Sequence, residues 1–230
     1  MTDSRSEEEQ RRQRYVAAMG EELADVFIAL DQDLQWVIIR WSQFGKLYGG
    51  TEGRLEVLNR AAPFFFWVIQ QTLWEDVILA VTRMAAPLES MNKANLTIRR
   101  LPLLLDEPLR STVNGHIKEI DDRLPVATLW RNRKLAHRDL NLALKRGPEL
   151  PDGSVADIDG ILDSMVKAMN AVTEMFFRST TAYRQASLIH DADELVYVLR
   201  DGLRLEDQRQ KRLEAGEYRP EDWQDEGPPL

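Results

Sequence analysis

The chain of 230 residues has no cysteine and few histidines. Without cysteine it can form no disulfide, no thiolate nucleophile and no thiolate metal site, and it fits a reducing cytoplasm. The three histidines, His116, His137 and His190, include no pair spaced four residues apart, and that spacing is the one that places two zinc ligands on one helix face. We therefore expect no metal and no other cofactor.

Glycine-rich phosphate loops and long apolar runs are also absent. No segment matches GxxxxGK[ST] or GxGxxG, so ATP hydrolysis of the P-loop type is excluded. The most apolar stretch, Phe64 to Ile69, is far too short to cross a bilayer. The charged N-terminus lacks the apolar core of a signal peptide, and we expect a cytoplasmic protein with no membrane partner.

The composition that remains is typical of a helical protein. Hydrophobic residues make up 43% of the chain and charged residues 30%, with only 12 glycines and 10 prolines. The glycines and prolines fall mostly between apolar segments, and we find no strand-like alternation or internal repeat. This pattern predicts an all-α domain. The net charge of −8 disfavours broad, non-specific binding of nucleic acid but leaves room for a local basic patch.

Apolar residues spaced three or four apart predict a series of helices. A long helix is expected to begin at Glu7, bend at Gly20 and stop near Gly45 or at Gly49. A helix over residues 64–85 is apolar on nearly every side, which predicts that it is the centre of the core. Further helices are expected at residues 54–60, 107–122, 126–143, 157–190 and 192–215. The predicted organisation is a disordered segment at residues 1–6, a helical domain at 7–190, and a C-terminal helix with a mobile tail at 191–230.

The candidate chemistry is concentrated in the stretch WRNRKLAHRDL, residues 130–140. It carries four cations and one histidine in the nine positions from Arg131 to Asp139, inside an acidic chain. We expect it to lie on the helix that Pro125 opens. A charge run of this kind is usually a solvated helix face, and that interpretation stays open.

Three details favour a site over a solvated face. His137 follows Leu135 and Ala136, so we expect an apolar wall that sets its tautomer. Arg133 lies four residues before His137, which places both on one helix face. Arg131 lies about 120° from His137 on an ideal helix, so its long guanidinium must reach round or the helix must be distorted. Together these groups predict a cationic pocket that can exchange protons near neutral pH.

The stretch also resembles a known motif. Arg131 and His137, with five residues between them and Asn132 directly after the arginine, match the R-x(4–6)-H pattern of the HEPN superfamily. The string RNRKLAHRD is similar to its abortive-infection, AbiU-type branch. The order of an apolar helix, FFFWVIQQTLWEDVILAVTRMAAP, then NLTI and then the motif resembles the layout of that branch. The resemblance covers roughly residues 20–185.

HEPN domains are up-and-down helical bundles, and many are metal-independent endoribonucleases whose product carries a 2′,3′-cyclic phosphate. They often dimerise, which brings two R…H motifs to one cleft. The resemblance therefore implies RNA as the substrate, a homodimer, and a defence or toxin–antitoxin role with an antitoxin protein as a further partner. A narrow pocket at the dimer seam is consistent with the acidic charge of the rest of the chain.

The resemblance also implies a role for each polar residue of the stretch. Arg131 would bind the scissile phosphate and stabilise the charge that builds on it, with Asn132 positioning either group. His137 would act as general acid or base on the ribose 2′-hydroxyl or on the leaving oxygen. The RNA backbone would be bound, without reading of its sequence, by the other cations of the stretch, Arg133, Lys134 and Arg138.

Two other functions remain open at this point. Some HEPN proteins lack nuclease activity, so the chain could be a non-catalytic HEPN dimer that binds nucleotide or a protein partner through the same basic pocket. It could also be a helical interaction protein with no active site, in which the stretch is a solvated face. If Arg131 and His137 do not face a shared cleft, the helical interaction protein is favoured. An RNA cleavage assay in EDTA separates the endoribonuclease from the non-catalytic HEPN dimer.

Overall fold

The structure is a computed structural model that describes residues 2–185 and 191–223. The described residues are predominantly helical, which confirms the all-α prediction. The α-helices are α1 Thr2–Met19, α2 Glu21–Tyr48, α3 Glu52–Ala61, α4 Pro63–Met84, α5 Leu109–Trp130, α6 Leu140–Ala143, α7 Val155–Phe177 and α8 Ala192–Glu214. Short 3-10 helices cover Ile98–Leu104, Tyr183–Gln185 and Pro220–Trp223, and a π-helix covers Arg131–Leu135.

One short hairpin interrupts the helices, although the sequence shows no strand-like alternation. Strands β1 Glu89–Ser90 and β2 Lys93–Ala94 pair antiparallel, with Glu89 opposite Ala94 and Ser90 opposite Lys93. The two residues between them, Met91 and Asn92, both have positive φ, 49° and 59°. Positive φ at both central residues is the geometry that closes a two-residue hairpin. The hairpin is therefore formed by its local turn and is not part of a larger sheet.

The chain forms two compact units, each built from two separated segments. The first comprises Met1–Ser42 and Thr72–Ala186, and the second comprises Gln43–Gln71 and Ser187–Leu230. In the first unit α5 and α7 pack along each other. The helical spacing of apolar residues from Ile161 to Met175 predicts one buried face of α7. Ile161, Leu162, Met165, Met169 and Val172 are buried, as is Ile158 one turn earlier, whereas Met175 is 54% exposed. Its N-cap is Ser154, whose hydroxyl accepts from Asp157 N at 3.2 Å, so α7 begins two residues before the predicted start at residue 157.

Gly20 is a complete break between α1 and α2 and not the predicted bend. Its φ of +83° lies in the region that glycine alone enters at little cost. Arg11 bonds the carboxylate of Asp31, although twenty helical residues would span about 30 Å. The chain therefore folds back at Gly20. Helix α1 begins at Thr2, so residues 2–6, predicted to be disordered, continue the helix.

A buried carboxylate joins three segments of the first unit. Asp31 is 3% exposed and accepts hydrogen bonds from the Tyr183 hydroxyl, from Arg11 and from Gln35 Nε2, the last at 2.7 Å. It thereby links α1, α2 and the 3-10 turn after α7. Burial is the main cause that raises the pKa of the Tyr183 hydroxyl, and the neighbouring Asp31 charge raises it further.

This raised pKa predicts how alkali affects stability. An unfolded tyrosine ionises near pH 10, whereas folded Tyr183 keeps its proton to higher pH, so its contribution to the free energy of unfolding is present below about pH 10 and is lost above it. We expect the urea midpoint to fall as the pH rises above about 10, and to fall less in Tyr183→Phe. Tyr197→Phe, at a tyrosine that is 55% exposed, is the control. An equal alkaline loss in both variants would contradict the prediction.

The prediction that α4 is central holds only for its second half. Val77, Ile78 and Val81 are fully buried, but Phe64 is 75% and Trp67 56% exposed. A helix that is apolar on every side does not reveal which of its turns the rest of the chain covers. By length and composition alone α4 is also apolar enough to cross a membrane, and 28% of its most apolar 18 residues are buried. Core helices of soluble proteins can have the same length and composition.

Two predicted helix ends are wrong. Pro125 lies inside α5, so the expected break between residues 122 and 126 is absent and one helix runs from Leu109 to Trp130. Helix α7 ends at Phe177, because Arg178 adopts a left-handed φ of 51°, and the helix expected up to His190 does not continue. His190 itself lies outside the described residues.

The second unit places the C-terminal helix against α3. Arg54 Nη1 lies 2.7 Å from Asp193 Oδ1, and Lys46 bonds Asp191, whose pKa that ammonium lowers. Part of the predicted mobile tail is also held, because Asp222 in the 3-10 turn Pro220–Trp223 is buried and lies 2.7 Å from Arg212. The extension beyond residue 190 therefore completes this unit.

Candidate functional site

The basic stretch does not continue α5 as an α-helix. Residues Arg131–Leu135 form a π-helix, in which Ala136 N donates to Arg131 O at 2.7 Å. The chain then leaves the helix, and Asp139 N donates to Arg133 O at 2.9 Å. Because the turn is wider than an α-turn, the angle of an ideal helix no longer describes Arg131 and His137. Single π-turns of this kind are frequent at functional sites.

The Arg–His motif is exposed in the single chain. Arg131 Nη1 donates to Asn132 Oδ1 at 3.1 Å, which is the contact expected if Asn132 positions Arg131. His137 is exposed as well. The expected apolar wall, which would bury it, is therefore not formed by its own chain. Arg131 and Asn132 are therefore brought together by the structure, while His137 lies beyond the π-helix in irregular chain.

The other three cations of the stretch line one common depression. A depression of about 400 Å³ lies beside the motif, and this volume is in the range of small-molecule sites. We call it the Trp130 depression; it is lined by Trp130, Arg133, Lys134, Arg138, Asp139, Leu142, Ala143, Leu150 and Asp152. Its lining includes neither Arg131 nor His137, and Asn132 instead lines a second depression along α5.

The cations of the Trp130 depression differ in how firmly they are held. Lys134 Nζ lies 2.9 Å from Glu75 Oε1 and 4.7 Å from the centre of the Trp130 ring. Arg133 donates to Pro148 O at 3.3 Å and lies 3.5 Å from Asp139 Oδ2. Across residues 2–185 and 191–223, by contrast, no polar partner contacts the side chain of Arg138.

Asp139 also ends the irregular chain by starting α6. Its Oδ1 accepts from Leu142 N at 2.8 Å, which is the N-cap contact of that short helix. This backbone bond is the first cause that lowers the pKa of Asp139, and Arg133 lowers it further. A carboxylate that is bonded in this way stays ionised and holds Arg133 in place.

Trp130 anchors the depression to the core. Its Nε1 donates to Pro151 O at 2.8 Å, and its ring meets Trp74 edge-on with the centroids 6.4 Å apart. Trp74 in turn lies 6.0 Å from Trp41, whose Nε1 donates to Asp159 Oδ1 at 2.7 Å. The sequence analysis assigned no functional role to Trp130; an aromatic residue directly before a run of cations was the signal that could have marked it.

Sequence reasoning also missed Glu75 and Asp152. In the sequence, Glu75 and Asp76 are an adjacent polar pair within an apolar helix, and in the structure their side chains have different partners. Glu75 holds Lys134, whereas Asp76 lies 2.6 Å from Arg40. Asp152 belongs to a loop rich in glycine and proline, where nothing in the sequence connects it to Arg133 or Trp130.

Gly153 is required where this loop crosses Trp74. A Cβ atom at residue 153 would lie well inside van der Waals contact with the indole ring. We expect Gly153→Ala to push the loop away, to break the Trp130–Pro151 hydrogen bond and to lower the free energy of unfolding by about 1–3 kcal/mol. Urea unfolding measures the loss. Gly147→Ala is the control, because a Cβ there would meet nothing closer than 3.5 Å; equal losses would contradict the steric cause.

No cluster of three or more histidine or acidic side chains that could hold a metal ion is present in the part of the chain that the structure describes. The side chains of the stretch supply guanidinium, ammonium, imidazole, amide and carboxylate groups. Such groups bind phosphate, transfer a proton and stabilise negative charge that develops on phosphate oxygens.

Comparison with known protein families also includes this region of the chain. The family model for AbiU2, of the HEPN class, matches residues 20–195. The chain belongs to the AbiU2 family of HEPN proteins. The match contains the whole Arg131–His137 motif and reaches into α8, so it confirms the resemblance to the abortive-infection branch of the superfamily. No curated protein and no solved structure matches the chain.

Proposed function

We propose that this AbiU2 protein is a metal-independent endoribonuclease of a defence or toxin–antitoxin system. The observation that carries the proposal is the exposed Arg131–Asn132 pair on a π-turn, followed by exposed His137 and flanked by a depression with three more cations. In an acidic chain, this arrangement concentrates positive charge where a polyanion can approach. The AbiU2 family and its HEPN motif support RNA as that polyanion.

The proposed reaction is transfer of the phosphodiester to the neighbouring 2′-hydroxyl. A bond forms between O2′ and phosphorus, the bond from phosphorus to O5′ breaks, and the product carries a 2′,3′-cyclic phosphate. One proton leaves O2′ and another is delivered to O5′. His137 takes part as general base or general acid. The guanidinium of Arg131, held by Asn132, binds the non-bridging oxygens and stabilises the added charge.

The same chemistry favours a homodimer. One imidazole cannot accept the O2′ proton and donate the O5′ proton in the same instant, whereas two copies of His137 facing each other can divide these tasks. Both Arg131 and His137 are exposed in the single chain, and a second copy would exclude water from them. Exclusion of water strengthens the electrostatic stabilisation that Arg131 supplies.

Cleavage in the presence of EDTA tests the proposal. The wild-type protein is expected to cut RNA, to leave 2′,3′-cyclic phosphate ends and to spare a substrate whose 2′-hydroxyls are replaced by hydrogen. His137→Ala, at an exposed position, should keep the fold and lose cleavage. Equal cleavage by the variant, or cleavage of the deoxy substrate, would show that another group or a contaminant is responsible. RNA binding without cleavage by the wild type would instead favour the non-catalytic HEPN dimer.

A further inference from the structure

The Trp130 depression is more than an additional phosphate site. Phosphate sites are built from cations and backbone N–H groups, whereas four of the residues that line this depression are apolar: Trp130, Leu142, Ala143 and Leu150. A phosphate group gains nothing from apolar walls. A flat, partly apolar group with polar edges gains from the walls and from the polar rim together.

We propose that the Trp130 depression receives an unpaired nucleobase of the RNA and selects bases that carry an exocyclic amino group. The inference rests on the proposed function for the identity of the ligand as RNA. The indole ring of Trp130 is fixed by Pro151 and Trp74 and has the Lys134 ammonium 4.7 Å from its centre, so the position of an aromatic and cationic wall is set before the base arrives. Contact of bases with aromatic side chains is the usual way in which proteins hold unpaired RNA.

Asp152 supplies the selectivity. It lines the depression, and no polar partner contacts its side chain among the residues that the structure describes. Asp139, the other carboxylate of the lining, already accepts from Leu142 N and faces Arg133. An ionised carboxylate can only accept hydrogen bonds, so Asp152 favours an amino group of the base edge. Cytosine presents an amino group where uracil presents a carbonyl oxygen.

Arg138 supplies the link to the backbone. Arg133 and Lys134 are both held by acidic partners, whereas Arg138 is exposed and its guanidinium is available to a phosphate next to the bound base or to the face of the base itself. It follows His137 directly in the chain. The lining of the depression thus includes the direct chain neighbours of the proposed catalytic pair, Trp130 before Arg131 and Arg138 after His137.

This geometry requires single-stranded RNA. The bases of a duplex are stacked and paired, so they cannot enter a side pocket unless the duplex opens. The structure thus assigns loops and unpaired segments as the substrate class and predicts a preference for cytosine over uracil at one position near the scissile phosphate.

Binding by a protein that cannot cut the RNA tests the inference. Fluorescently labelled oligocytidine, oligouridine and a duplex of matched length are titrated with the His137→Ala protein. We expect single strands to bind more tightly than the duplex, and oligocytidine to bind about tenfold more tightly than oligouridine. Adding Asp152→Asn should remove the difference between the two single strands. Adding Arg138→Ala should weaken both single strands about equally, and Arg146→Ala, at an exposed arginine outside the lining, should change neither.

The outcomes separate this inference from the proposed function. If Asp152→Asn tightens binding of both single strands equally, its charge only repels RNA and the selectivity is overturned. If the duplex binds as tightly as the single strands, the base pocket is overturned. If the wild type cleaves RNA but shows none of these preferences, the proposed nuclease function holds and the base pocket is overturned. If the preferences are found but the wild type does not cleave RNA, the base pocket holds and the nuclease function is overturned.

Discussion

Arg131→Ala is expected to slow RNA cleavage by about a hundredfold to a thousandfold, since removal of one preorganised donor to a developing oxyanion has this effect in other enzymes. The loss should appear in kcat as well as in kcat/KM, because the interaction strengthens as charge builds on the phosphate. Arg131 is exposed and contacts Asn132 through a single hydrogen bond, so the free energy of unfolding should change by less than about 0.5 kcal/mol. Cleavage rates and urea unfolding measure the two effects.

Two further variants sharpen this prediction. Arg131→Lys keeps the charge but loses the planar fork that binds two phosphate oxygens, so its rate should fall between those of wild type and Arg131→Ala. Arg146→Ala removes an exposed arginine of the same region and should cleave at the wild-type rate. A large loss of stability in Arg131→Ala would identify a structural residue, and a normal rate in that variant would remove Arg131 from the mechanism.

The combination of Arg131→Ala with His137→Ala tests whether the pair acts as one unit. Groups that serve a single transition state give losses that do not add. We expect the double variant to be little slower than the slower single variant. Fully multiplicative losses would mean that the two residues act in separate steps.

The largest effect on stability is expected at Asp31. Asp31→Ala removes the acceptor shared by Tyr183, Arg11 and Gln35 and leaves the hydroxyl of Tyr183 buried without its partner. Breaking a buried, hydrogen-bonded charge pair costs about 3–5 kcal/mol. Because Arg11 is partly exposed, water can solvate it after the change, and we expect a loss of about 3 kcal/mol. Urea unfolding followed by circular dichroism measures it.

Asp33 offers a matched control two residues further along α2. It is 37% exposed and lies 3.6 Å from Arg83, so Asp33→Ala removes an exposed ion pair worth at most about 1 kcal/mol. Asp31→Asn keeps one acceptor oxygen and should recover part of the stability. Similar losses at positions 31 and 33 would show that the general charge of α2, and not the buried bonds of Asp31, is responsible.

The sequence predicted correctly those features of the fold that depend only on neighbouring residues. The spacing of Ile161, Leu162, Met165 and Met169 predicted correctly that they lie on the buried face of α7, because helical periodicity depends only on neighbouring residues. Helix ends were less accurate. Pro125 was taken as a start, although a proline on the solvated side of a helix can be accommodated, and nothing near Arg178 announces the left-handed residue that ends α7.

For the candidate site, too, some features follow from the sequence and others only from the tertiary structure. The sequence by itself determined the all-α class, the AbiU2 membership and the motif of Arg131, Asn132 and His137, since each depends on residue identity and spacing along the chain. Only the tertiary structure decided that the motif begins on a π-turn, that Glu75 holds Lys134 and that Asp152 faces the Trp130 depression. The physical reason is that contacts such as Glu75 with Lys134, or the loop before α7 with Trp74, join segments far apart in the chain, and packing between distant segments leaves no period in the sequence.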